Sequence, residues 1–117
     1  MQFPTIHNNG SDPAKLMAEL RDASDALREA IDLIEGGCGP HARDYHGQQP
    51  TENFEQASAE HTVRLRALIK VRGELMALFD NVQKQVDERA SARAAYRAEL
   101  SEADIFEGGS SLDPAHR

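Results

Sequence analysis

The sequence has few of the residues that cross-link or fill a compact domain. It contains one cysteine, no tryptophan and only 5% aromatic residues among its 117 positions. A single thiol cannot form an intrachain disulfide, so nothing indicates an oxidising compartment. The length fits one domain with one core. Because apolar residues make up only 39% of the chain, we expect helices with narrow apolar faces rather than a compact monomeric globule.

Long apolar runs and a net positive charge are also missing. No run approaches the roughly 20 residues that span a bilayer, and the first thirteen residues, MQFPTIHNNGSDP, lack the basic and apolar regions of a secretory signal. We therefore expect a soluble cytoplasmic protein with no membrane partner. The formal charge of −7 also disfavours duplex nucleic acid as a partner, because phosphate binding draws on a positive field.

A first helix is predicted over residues 13–35. Asp12 can cap its free amides, Pro13 suits the first helical position, and Gly36 with Gly37 can end it. Apolar residues recur at the heptad spacing that a helix buries against a partner. They are Leu16, Leu20, Ala23, Leu27, Ala30 and Ile34.

A much longer second helix is predicted over about residues 51–104. It begins near Thr51, with Glu52 and Glu55 well placed in the first turn, and its interior holds no proline and one glycine, Gly73. Its predicted seam is Phe54, Ser58, His61, Leu65, Leu68, Arg72, Leu75, Phe79, Val82 and Val86. Residues 1–12 are expected to be a flexible arm and residues 107–117 a disordered polar tail.

These patterns predict an all-α fold, a long antiparallel helical hairpin over residues 13–106. The shorter helix, folded back, is expected to cover the longer one only to about residues 72–76. Leu75, Phe79, Val82 and Val86 would then form an oligomer interface, so a homo-oligomeric helical bundle, a dimer or a tetramer, is expected. In the alternative, residues 88–106 fold back as a third helix.

The connection between the helices, GCGPHARDYHGQQP, is chemically dense. Helix–helix connections usually take 2–8 residues, whereas this one spans residues 37–50, so we predict that it has a function beyond joining the helices. Its candidate ligand-binding residues are His41, Arg43, Asp44, Tyr45 and His46. They suit anion or nucleotide contact. A metal site completed by His61 and a plain polar turn are the alternatives, and no metal is predicted, because the spacing matches no strong metal-ligand signature.

The second helix also carries the one basic cluster of this acidic chain, RLRALIKVR. Arg66 and Lys70 are expected to be solvated, whereas Arg64 and Arg72 turn toward the seam. A guanidinium there needs a partner. Three alternatives stay open: ion pairs with Glu19, Asp22 and Asp25; a polar pocket shared by Arg72 and His61; or a role for Arg72 in fixing register and oligomeric state.

Residues 41–75 resemble a type of small uncharacterised helical protein found in bacteria, phages and prophages. The resemblance lies in an H-x-R-D-Y loop, followed by F-x-x-A-x-x-E-H and R-x-x-x-L. This chain has His46 where such proteins often have a second aromatic residue. The matching positions are His41, Arg43, Asp44, Tyr45, Phe54, Ala57, Glu60, His61, Arg64 and Leu68. The resemblance implies no known activity, but it does imply a mobile-element origin, where small acidic helical proteins act as inhibitors or sequestering agents.

Catalytic patterns are missing. The sequence has no nucleophile with a placed base, no phosphate-binding glycine loop and no paired acidic motif on facing helices. We therefore expect a non-enzymatic interaction protein, without a cofactor, that binds a host macromolecule. The alternative is a protein that binds or sequesters a small anionic metabolite or nucleotide through the 41–46 loop and the basic stretch 64–72.

Overall fold

The structure, a computed structural model, describes the backbone of residues 1–111 and the side chains of residues 1–102. It contains two α-helices, α1 (Pro13–Gly37) and α2 (Pro50–Ser111), joined by a loop with one turn of 3₁₀ helix at Ala42–Asp44. The described residues form no strand. The prediction of an all-α fold with a short and a long helix packed together is confirmed. Within the described part of the chain, no helix has the length and apolarity to cross a membrane.

The predicted start of α1 is confirmed, but its predicted end is not. The Asp12 carboxylate accepts a hydrogen bond from the Ala14 N–H at 3.2 Å, and Pro13 occupies the first turn. The helix then continues through Gly36 and ends at Gly37. Neither glycine has a positive φ, so no left-handed glycine cap ends the helix there.

The second helix is longer than predicted and does not turn back. It begins at Pro50, where the Gln49 carbonyl accepts the first intrahelical bond from the Asn53 N–H at 3.0 Å. It continues without a break to Ser111, so the alternative of a third helix over residues 88–106 is wrong. Alanine and arginine in this stretch have high helix propensity. Residues 107–111, predicted to be part of a disordered tail, are helical, and residues 112–117 of that tail lie outside the described residues.

Two cross-helix approaches define the antiparallel register of the hairpin. The Arg72 Nε donates to the Ser24 carbonyl oxygen at 3.1 Å, and a Cβ on Gly39 would lie 3.2 Å from the His61 Nε2. Since both helices rise 1.5 Å per residue, the Ser24–Arg72 pairing places Ala14 opposite Val82. Helix α1 therefore extends along α2 as far as Val82, and the expectation that its cover ends at residues 72–76 is wrong.

The loop explains this shift in register. It packs along the first turns of α2 instead of turning back sharply, with the Tyr45 ring 6.0 Å from the Phe54 ring. Helix α1 therefore pairs with a later part of α2 than a tight turn would allow. The length of the connection therefore determines which residues of α2 lie against α1.

The core is small and follows the predicted seam of α2. All ten predicted seam residues of α2 are half-buried or buried, and Val82 is completely inaccessible to solvent. On α1, the buried residues are Ser24 and Ile31, whereas Ala23 is exposed. Five of the six predicted seam residues of α1 are half-buried, and Ser24 and Ile31 add to this face, so Ala23 is the one predicted seam position that is wrong.

Candidate functional site

The 41–46 loop is built on one 3₁₀ turn. The His41 carbonyl accepts from the Asp44 N–H at 3.0 Å, and the Ala42 carbonyl accepts from the Tyr45 N–H at 3.2 Å. Two residues with positive φ, Gly47 at 93° and Gln49 at 57°, then turn the chain into α2. Two backbone hydrogen bonds and two residues with positive φ therefore define the conformation of the loop, whereas a segment that only joins two helices needs no defined conformation.

Tyr45 anchors this loop, and its neighbours face solvent. Its half-buried ring lies against Phe54 at an interplanar angle of 58°, an arrangement that aromatic pairs favour. His41, Arg43, Asp44 and His46 are all exposed. The Nη1 of Arg43 lies 3.4 Å from the His41 Nε2, a distance at the upper end of the range for a hydrogen bond. The exposed face of the loop is thus a cluster of donors with one carboxylate.

His61 belongs to the same end of the hairpin. It is half-buried, and its ring packs closely against Gly39 at the start of the loop. Arg64, one turn further along α2, is exposed, as are Arg66 and Lys70. Among the described residues, no group of three or more His, Cys, Asp or Glu side chains is placed to hold a metal ion.

Arg72 lies in a different place, an open pocket of about 220 Å³ between α1 and α2. Its Nε donates to the Ser24 carbonyl, so the guanidinium has a backbone partner on α1 that was not among the three alternatives from the sequence. The Ser24 Oγ beside it is buried and has no hydrogen-bond partner among the described residues. The pocket is lined by Arg21, Ser24, Asp25, Arg72, Met76, Phe79 and Asp80.

The predicted ligand-binding residues therefore fall into two separate groups. The loop cluster and His61 lie at the loop end of the hairpin, whereas Arg72 is eleven residues beyond His61, about 16 Å along a helix. In the single chain, His61 does not line the described pocket that contains Arg72, and a pocket shared by the two residues in a bundle stays a prediction. Sequence analysis missed Ser24, Arg21 and Asp80 in the Arg72 pocket. The available signal was a serine beside Ala23 that interrupts an otherwise apolar face.

No protein-family model, curated protein or solved structure matches this chain. The likeness to small phage and prophage proteins stays a prediction.

Proposed function

We propose that this chain is a non-enzymatic interaction protein that assembles with copies of itself, and that the assembly binds a host macromolecule. The observation that supports it is the poor burial of the hairpin's apolar residues. Only Ile31 and Val82 are buried apolar residues within the described part of the chain. A core of this size is small against the conformational entropy of ordering two helices.

Exposed apolar residues flank the α1–α2 contact on both sides. Ile69 is 51% exposed and Met76 is 43% exposed; seven residues apart, they lie on one side of α2. Val71, 44% exposed, lies on the other side. Fully burying one such side chain contributes about 1.5–3 kcal/mol, so a second hairpin packed on either flank would add substantially to the apolar burial of the assembly.

The residues proposed for the oligomer interface differ from those predicted from the sequence. Val82 has no accessible surface in the single chain, so the premise that it needs an intermolecular partner is wrong. Leu75, Phe79 and Val86 are half-buried, and their role in an interface stays a prediction. Ile69, Val71 and Met76 are the more accessible candidates.

The test is the mass of the assembly in solution. We expect light scattering to give a dimer or tetramer of the 12.9 kDa chain. The double variant Ile69→Glu/Met76→Glu should shift this mass to that of the monomer, because two charges would be buried without partners at the interface. Both residues are exposed in the single chain, so the variant should keep its helicity.

Val63→Glu is the matched control. Val63 is 66% exposed and lies about 120° from Ile69 around α2, on the side away from α1. We expect this variant to keep the mass of the unmodified chain. A monomer for the unmodified chain at concentrations near 100 µM would contradict the proposal.

The second candidate function, binding of a small anionic ligand, is favoured by the Arg72 pocket. Arg21 and Arg72 offer guanidinium donors, Ser24 a buried hydroxyl, and Met76 with Phe79 an apolar wall, while Asp25 and Asp80 could accept from hydroxyl or amine groups of the same ligand. A ligand that binds the folded state raises thermal stability by linkage. We expect a screen of carboxylates and nucleoside phosphates to give such a rise, and Arg72→Ala to abolish it.

Arg43→Ala separates the two places where such a ligand could bind. If the stabilisation disappears with Arg43→Ala and survives Arg72→Ala, the loop is the site, as the sequence predicted. If neither compound class raises the melting temperature at millimolar concentration, the ligand-binding function is wrong.

A further inference from the structure

The part of α2 beyond the hairpin carries a one-sided arrangement of charge. Every residue from Asp87 to Glu102 is exposed. Arg89, Arg93, Tyr96 and Leu100, which we call the arginine stripe, follow the spacing i, i+4, i+7, i+11 and fall within about 60° of the helix circumference. This is the spacing of a helix face that packs on another helix.

Acidic residues of the same segment lie elsewhere. At 100° per residue, each is about 90° or more from the centre of the arginine stripe. They are Asp87, Glu88, Glu99 and Glu102. The stripe is therefore locally basic in a chain with a net charge of −7, and its tyrosine and leucine, 62% and 47% exposed, add apolar area.

The outer face of α1 carries the opposite charge and has the same spacing. Asp22, Ala26, Glu29 and Leu33 are exposed and repeat the same i, i+4, i+7, i+11 spacing; we call them the acidic stripe. They point away from the buried Ser24 and Ile31. Leu33 is 67% exposed, so this stripe also combines charge with an apolar residue.

Helix α1 as a whole is acidic, which strengthens the match. Its acidic residues outnumber its basic ones by six to three. The acidic residues are Glu19, Asp22, Asp25, Glu29, Asp32 and Glu35, and all of them are exposed. Opposite potentials on two surfaces of equal spacing favour their association and select the partner.

We infer that the arginine stripe binds the acidic stripe of a second copy of this chain. Each copy carries both stripes, so two copies can exchange two identical contacts and close a symmetric assembly. The inference rests on the proposed self-assembly and names a surface for it. A nucleic acid is the other partner that arginines and an exposed tyrosine suit, but the net negative charge of the chain opposes it.

Charge reversal tests the pairing of the two stripes. Arg89→Glu/Arg93→Glu makes both stripes acidic, and Asp22→Lys/Glu29→Lys makes both basic. We expect each variant to associate with itself at least ~10-fold more weakly, a change of about 1.4 kcal/mol. An equimolar mixture should recover the association of the unmodified chain to within about threefold, because each contact then joins opposite charges.

Glu99→Lys/Glu102→Lys is the matched control, since it makes the same kind of substitution as the acidic-stripe variant outside the arginine stripe, at about 90° and 150° from its centre. We expect it to associate like the unmodified chain. Circular dichroism should show for every variant at least the helicity of the unmodified chain in dilute solution, because every substituted residue is exposed. As a measurement without substitutions, 0.5 M salt should weaken assembly of the unmodified chain, since exposed charge pairs are screened.

The outcomes separate this inference from the proposed function. If the unmodified chain assembles and both reversed chains assemble equally well, or if the mixture does not recover association, the inference is overturned and self-assembly stands. If the unmodified chain is a monomer, both fail. If a duplex oligonucleotide binds the unmodified chain but not Arg89→Glu/Arg93→Glu, while the mass is unchanged, the stripe binds nucleic acid instead.

Discussion

Gly47 turns the chain from the 41–46 loop toward α2 with a φ of 93°. A Cβ built on it would meet nothing within 4 Å, so any cost of a side chain there comes from the backbone alone. L-residues with a Cβ rarely adopt this conformation. This residue is therefore a clean probe of whether the loop has the ordered conformation that a binding site needs.

We predict that Gly47→Ala lowers the free energy of unfolding by about 1 kcal/mol. Gly73→Ala is the matched control, because Gly73 also has open space around it but lies inside α2. There, the same substitution should stabilise the protein by about 0.5–1 kcal/mol. Urea unfolding measures both, and equal effects of the two substitutions would show that the loop lacks the described conformation.

Single residues differ in how far the sequence predicts their positions. The Asp12 cap was predictable because its hydrogen bond to Ala14 closes over two residues. The bond from Arg72 to the Ser24 carbonyl joins residues 48 positions apart, and nothing in the local pattern distinguishes this carbonyl from any other on α1. The sequence left three alternatives for Arg72, and a bond to the α1 backbone, which its Nε makes in the structure, was not among them.

At the scale of elements, α2 consists of a packed segment and an unpacked one. From Phe54 to Val86, its seam residues are half-buried or buried, whereas every residue from Asp87 to Glu102 is exposed. A helix without tertiary packing depends on propensity alone and is marginal in water. The two segments should therefore differ in stability even though the helix is continuous.

We predict that amide exchange reports this difference. Amides over residues 65–82 should be protected to near the global stability, and those over residues 90–102 should exchange at least ~100-fold faster at low protein concentration. Protection of residues 90–102 should rise with concentration if a second copy covers the arginine stripe. Uniform protection along α2 in dilute solution would contradict the division of the helix into these two segments.

For the whole molecule, stability and assembly should be coupled. In the proposed assembly, intermolecular burial supplies part of the folding free energy of a chain that has only two buried apolar residues in its described part. Partners that bind only the folded state make the melting temperature depend on concentration. A melting temperature that changes with concentration therefore distinguishes a hairpin that assembles from a monomer that folds by itself.

We predict that a hundredfold dilution lowers the melting temperature by several degrees, because this dilution corresponds to about 2.7 kcal/mol of lost mass action. Scanning calorimetry over a range of concentrations gives the measurement. The Ile69→Glu/Met76→Glu variant should melt at one low temperature that does not change with dilution. A melting temperature of the unmodified chain that is independent of concentration would mean that the hairpin folds without a partner.

The sequence by itself determined the fold class, the cap at Asp12 and all ten positions of the α2 seam, because hydrophobic periodicity and capping act within a few residues of each other along the chain. Only the tertiary structure decided the register of the two helices. The route of the loop sets that register, and the packing of Tyr45 on Phe54 and of Gly39 on His61 depends on contacts that close only after the chain has turned. The register in turn set Arg72 against the Ser24 carbonyl and left the exposed faces of both helices as the surfaces through which this protein is proposed to act.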